Sequence, residues 1–213
     1  MRDDEIWREV DAQRLDLAGL LAGLTPEQWE RPSLCPGWRV RDVAAHLTLG
    51  PITSWGTVLQ EIVRARGSFN RMVYDTAVRR ADRPTAQIVA DLRAISGSRR
   101  LAPGTTIHEP LLDILVHGQD IAIPLGVDRK MPADAAVDAA TRVWSKGFPF
   151  GARRRLRGFR LVATDATWSD GDGVRVEGPI SALLLVLTGR PAGLRPLGGP
   201  GLPELKRSFE GES

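Results

Sequence analysis

Cysteine, histidine and lysine are scarce in this 213-residue chain, and long apolar runs are absent. A single cysteine, Cys35, excludes an intramolecular disulfide and every multi-cysteine zinc site, so a metal would have to rely on imidazole and carboxylate, with Cys35 at most a remote fourth ligand. No stretch approaches the ~20 apolar residues needed to cross a bilayer. The start, Met1-Arg2-Asp3-Asp4-Glu5, is acidic and runs into an amphipathic pattern, so it does not read as a signal peptide; the expectation is a cytoplasmic protein with no membrane partner. Lysine occurs only at Lys130, Lys146 and Lys206, and the other basic residues are arginines. The one basic cluster, Arg153-Arg154-Arg155-Leu156-Arg157, lacks interleaved aromatics for stacking on bases. With a net charge of only +3, it reads as a solvated linker and not as a nucleic-acid site.

What is present is the composition of an ordinary globular protein, 42% hydrophobic and 26% charged, with length enough for one large domain or two smaller ones. Helical spacing of Ile6, Val10, Leu15, Leu17, Leu20, Leu21 and Leu24 predicts a first helix over residues 4–24. Thr25-Pro26-Glu27-Gln28 is a capping box with proline at the first helical position. Further helices are expected from Trp38 or Arg39 through His46, over 52–66 after a kink at Gly50-Pro51, over 69–80 and 85–96, from about Glu109 to Pro124, and from 133 to 146. After Gly151 the texture changes: residues 159–164 and 174–177 alternate as strands, with Ser169-Asp170-Gly171-Asp172-Gly173 supplying turn chemistry between them. Gly178-Pro179 opens an apolar helix over 180–187, and the Gly/Pro-rich tail holds a last turn near Leu205. The predicted organisation is a helical bundle over residues 1–150 and a small α+β domain over residues 151–213.

Two polar residues interrupt the most apolar of these helices, Leu111-Leu112-Asp113-Ile114-Leu115-Val116-His117. Asp113 and His117 stand at i and i+4 and so point the same way; buried there, they must be paired, hydrogen-bonded or bound to a metal. Glu109, Asp113, His117 and Asp120 form one polar stripe, which is also what an exposed helix face would show. His46 lies at the margin of the face carrying Val40, Val43 and Leu47. Two imidazoles and a carboxylate suit zinc or a related divalent ion and leave positions open, provided the two helices meet.

The segment Trp29-x-x-Pro32-Ser33-Leu34-Cys35-Pro36-Gly37-Trp38-Arg39-Val40-Arg41-Asp42-Val43-Ala44-Ala45-His46-Leu47 resembles the N-terminal motif of the mycothiol-dependent maleylpyruvate isomerase family, and Asp113-Ile114-Leu115-Val116-His117-Gly118-Gln119-Asp120-Ile121 is similar to its second motif. The resemblance implies a mainly α fold, a DinB-like four-helix bundle with a small α+β C-terminal appendix. It implies a divalent metal, zinc first and nickel second, held by His46, Asp113 and His117, and mycothiol as co-substrate. The family carries glutamate where Asp113 stands and commonly arginine where Pro110 stands. The residues after Leu161, through Trp168, Gly178-Pro179 and Gly189-Arg190, are similar to the family's appended domain, which is expected to be shortened here.

From this follows the expectation of a metal-dependent, thiol-using enzyme of isomerase or S-transferase type, acting on a small electrophile. The rival is a non-catalytic metal- or thiol-binding protein, a sensor or structural bundle. Expected partners are a small-molecule substrate and a low-molecular-weight thiol, with a homodimer as a further candidate. Asp120, one turn beyond His117, is expected either to orient a ligand imidazole or to pair with an arginine, the first being preferred. Cys35 reads as a packed structural thiol, Trp29 and Trp38 as bundle anchors, and His108 as a candidate fourth ligand.

Overall fold

The computed structural model describes residues 1–211. It divides into two compact units, Arg2–Arg129 and the residues from Lys130 on together with Met1.

In the first unit, α1 (Asp3–Ala22) buries Ile6, Val10, Leu17 and Leu21 completely, whereas Leu15, which the spacing also counted, lies off that face and is exposed. The short α2 (Pro26–Trp29) starts where Thr25 and Gln28 cap each other, Gln28 N–H donating to the Thr25 hydroxyl at 3.3 Å and Thr25 N–H to Gln28 Oε1 at 2.9 Å. Then come α3 (Val40–His46), α4 (Trp55–Arg64), α5 (Phe69–Ala81), α6 (Thr85–Ala94) and α7 (His108–Leu125). The helix expected over 52–66 is broken: Gly50–Ile52 is a 3-10 turn, Thr53 is extended, and Ser54 caps a fresh start at Trp55. α1 packs on α6 and α7, while α3 packs on α5 and α7. Their apolar faces share one core that includes Leu21, Trp29, Val43, Ile88, Leu92 and Ile121. Each such large side chain removed from water contributes roughly 1.5–3 kcal/mol before entropic costs.

The second unit begins earlier than the change in sequence texture implied. Helix α8 (Ala133–Ser145) was expected in the bundle, yet it packs on α10 (Ile180–Leu187) in the second unit. Its buried face is mostly alanine (Ala135, Ala136, Ala139, Ala140), and small side chains let the apolar α10 approach closely. Periodicity marks such a face without naming its partner. The strands β1 (Phe159–Ala163), β2 (Ser169–Gly171) and β3 (Val174–Gly178) form a sheet of order β2-β1-β3. The hairpin implied by alternation is corrected: β1 and β3 are parallel, with Leu161 opposite Val176, and part of the expected turn is itself a strand, antiparallel to β1. The chain turns from β2 into β3 across the start of β1, where a Cβ on Gly173 would overlap the Gly158 carbonyl; only glycine fits. Nor is the arginine cluster a plain linker. Residues 152–155 form α9, and the Arg155 guanidinium donates to the carbonyls of Val186 (2.8 Å) and Leu187 (2.9 Å) at the end of α10. The tail holds a full helix, α11 (Leu202–Glu210), longer than the single turn expected.

Candidate metal centre

His46 is the last residue of α3, and both ends of that helix are tied down. At the start, the buried Asp42 carboxylate accepts from Arg39 N at 2.8 Å and takes the Arg39 guanidinium in a fork, at 2.9 Å on each oxygen. Glu30 accepts from Arg39 and Arg41, both at 2.7 Å. At the far end, the Thr48 hydroxyl donates to Ala45 O at 2.7 Å and accepts from Arg80 Nε at 3.1 Å. Arg80 is in turn paired with Asp91 at 2.8 Å.

Helix α7 carries the other expected residues. Pro110 falls in its first turn, where a missing N–H costs nothing, and Glu109 accepts from both Thr106 N and Thr106 Oγ1 at 2.6 Å. Two further contacts seat the helix. Leu34 N donates to Asp120 O at 3.1 Å, docking the Ser33–Gly37 turn on it. The buried Arg129 guanidinium, bonded to Asp16 at 2.9 Å and to Gln13, lies across Gly118, where a Cβ would overlap it.

These anchors bring His46 and His117 together, with ring centroids 5.1 Å apart and planes at 80°. Two imidazoles sharing a tetrahedral ion at Zn–N of about 2.0–2.1 Å have centroids about 5 Å apart, so the spacing fits a shared divalent metal. The buried His46 Nδ1 has no hydrogen-bond partner, an imidazole nitrogen left for something other than protein. Trp38 walls the pair, 5.3 Å from the His46 ring and stacked on His117 at 6.2 Å. It is buried, as an anchor should be, but its face belongs to the site.

On the other side of His117, Nδ1 lies 2.8 Å from Asp120 Oδ2, and that carboxylate is fully buried. The Cys35 thiol donates to the same oxygen at 3.1 Å and stands 3.7 Å from His117 Nδ1. Burial alone would depress the His117 pKa, but hydrogen bonds to Asp120 and Cys35 raise it to about 10, whereas burial and the neighbouring His117 push His46 down to about 3. A carboxylate on Nδ1 fixes the ring's orientation and leaves Nε2 as the nitrogen that can meet a metal, which would displace the proton the raised pKa keeps there.

Asp113 has a different setting. It is exposed, and with His46 it lines a cavity of about 280 Å³ enclosed by α1, the Leu47–Thr53 segment, α4, α5, the Arg100–Thr105 loop and α7. The polar stripe expected on α7 is therefore divided: Glu109 and Asp113 face the cavity, and His117 joins Asp120. Among the described residues, the tight group of three metal-type donors, within 4.8 Å of one another, is Cys35, His117 and Asp120. Reading Cys35 as merely packed missed its place: Asp120 lies 85 positions away, and nothing local to Cys-Pro-Gly signals that contact. His108 opens α7 and does not line the cavity.

Residues 10–122 match the model of the mycothiol maleylpyruvate isomerase N-terminal domain. The whole chain is similar in fold to a crystal structure of the mycothiol-dependent maleylpyruvate isomerase, at 13% identity and a TM-score of 0.53 over 94% of this chain and 93% of that one. A histidine-to-alanine mutant of such an isomerase aligns at 14% identity and a TM-score of 0.49, over 89% and 90% of the two chains. The 93% span removes the expectation of a shortened appendix. No curated protein matches the sequence.

Proposed function

The chain belongs to the mycothiol maleylpyruvate isomerase N-terminal domain family, and from that premise we propose that it is a metal-dependent, thiol-using enzyme acting on a small electrophilic molecule. His46, Asp113 and His117 are the proposed ligands, zinc the first candidate ion and nickel the second, and mycothiol the proposed co-substrate. The observation that carries the reading is the meeting of His46 and His117, with an unpartnered buried nitrogen on His46, beside a cavity that His46 and Asp113 both line. A divalent ion held there would supply the Lewis acidity that keeps a thiol ionised at neutral pH.

The protein's own part is orientation and exclusion. Asp120 holds the His117 ring through Nδ1, Trp38 covers one side of both rings, and the cavity admits a small molecule to the open side. The thiolate would add to an electrophilic carbon of an unsaturated substrate, forming a carbon–sulfur bond while the neighbouring atom takes the electron pair and a proton. Loss of that proton and of the thiolate after bond rotation is an isomerisation, and retention of the bond is a thiol conjugation. A closed or filled site would have favoured a purely structural metal, and the open cavity supports an enzyme instead.

A second reading has one observation in its favour, the close approach of Cys35, His117 and Asp120. In that case the ion would sit on the Nδ1 side of His117. Metal content of the purified protein tests both. About one equivalent of zinc or nickel is expected in wild type and none in His46→Ala or His117→Ala. Wild type without any bound divalent ion would falsify the proposal, and loss of metal in Cys35→Ser but not in His46→Ala would move the site to the other face. With metal present, turnover of electrophiles must require an added low-molecular-weight thiol.

A further inference from the structure

The cavity beside His46 and Asp113 is largely apolar, with Leu47, Pro51, Val58, Met72, Val73 and Ile114 among its walls. Of the charged residues on its walls, one stands apart by its burial. Arg14, on α1, is only 4% exposed. Its Nη1 donates to Ile95 O, the carbonyl that follows α6, at 2.9 Å. Neither Nε nor Nη2 makes a hydrogen bond among the described residues. Asp11 stands 3.8 Å from Nη1, beyond hydrogen-bond reach, and is itself bound to Arg99 and to Gly97 N, each at 2.8 Å.

No carboxylate that lines the cavity is bonded to Arg14. Glu61 is paired with Arg64 at 2.9 Å and with Arg79, and Glu109 is bonded to Thr106. Asp113 lines the cavity, but no hydrogen bond or ion pair joins it to Arg14. A second arginine, Arg100, lines the same cavity and is exposed. Capping one carbonyl uses a single N–H of a group that offers a whole fork of them, and neither Nε nor Nη2 is among the fully buried atoms left without a partner, so both are within reach of the cavity that Arg14 lines. An anion from outside the chain, above all a carboxylate that matches the fork, would complete it.

We propose that Arg14 is the anion-binding residue of this cavity, and that the cavity takes a small molecule with an apolar body and one carboxylate. The carboxylate sits on Arg14, the body lies against Leu47, Val58, Met72 and Val73, and the remaining end reaches the wall formed by His46 and Asp113. Only that last statement, which makes the molecule the substrate, rests on the metal reading above.

Calorimetric titration of the full chain, as purified and after metal stripping, with phenylacetate, its neutral isostere phenylacetamide, and acetate tests this. In both metal states phenylacetate is expected to bind roughly tenfold more tightly than either comparator, the size of one charge-assisted hydrogen bond. Arg14→Gln is expected to bring phenylacetate down to the level of the amide, with Arg14→Lys in between. Equal binding of acid and amide by wild type, or an acid preference that survives in Arg14→Gln, overturns the proposal. A preference present only with metal bound assigns the anion to the ion and also overturns it. Acetate binding as tightly as phenylacetate removes the apolar body. Should Arg14→Gln fail to fold, the metal-stripped wild type decides alone. An absence of metal would end the metal reading yet leave the acid–amide comparison intact, so the two failures are distinguishable.

Discussion

The two sides of His117 differ in every respect that matters for chemistry. Toward His46 there is an unpartnered buried nitrogen, and beyond His46 an apolar cavity with Asp113 and Arg14 on its walls. Toward Cys35 there is a closed hydrogen-bonded group, carboxylate to imidazole and thiol to carboxylate, with Asp120 fully buried. The first side has room and missing partners; the second has partners and no room. A ring placed between them is held from behind and offered to the front. The same residue type thus stands in opposite settings: Asp113 is exposed on the cavity wall, and Asp120 is buried against His117.

Substitutions on each side should separate these roles. The largest effect is expected from removing an imidazole: His46→Ala or His117→Ala should take metal content from about one equivalent to none, and thiol-dependent turnover with it. Replacing Asp120 by alanine leaves the ligand in place but frees its ring, so metal affinity should fall about 10–100-fold while stoichiometry at saturating metal is kept, measured by competition with a chelator. Gly118→Ala puts a methyl group into the Arg129 guanidinium, which its bonds to Asp16 and Gln13 keep from moving; a loss of about 1–3 kcal/mol in denaturant unfolding is expected. The smallest change belongs to Cys35→Ser, which keeps a donor to Asp120: metal affinity should stay within about threefold of wild type. A Cys35 effect larger than that of Asp120 would reverse the assignment of front and back.

Much of this was readable in the chain. The capping box at Thr25–Gln28, the helix starts at Phe69 and Thr85, and the apolar stretch around Asp113 and His117 all follow from rules acting over a few residues. Those rules also marked His46, Asp113 and His117 as polar residues in need of a reason. Alternation marked β1 and β3 but not their parallel pairing, because a strand's period says nothing about its neighbour's direction. For the same reason α8 could be found but not assigned to its unit. Arg14 is one polar residue among many on a long amphipathic helix, and only the folded chain shows that it is buried at a cavity wall with a single hydrogen bond to the protein.

By itself, then, the sequence marked most of the helices, the family motifs and the polar residues proposed as metal ligands, since spacing and side-chain chemistry are local properties. Tertiary structure alone decided that His46 meets His117, that Cys35 and Asp120 stand behind the ring, and that Arg14 shares a cavity with Asp113. Those relations join residues tens of positions apart. They exist only once the packed core, closing around side chains such as Val43, Leu92 and Ile121, has fixed how the helices lie against each other.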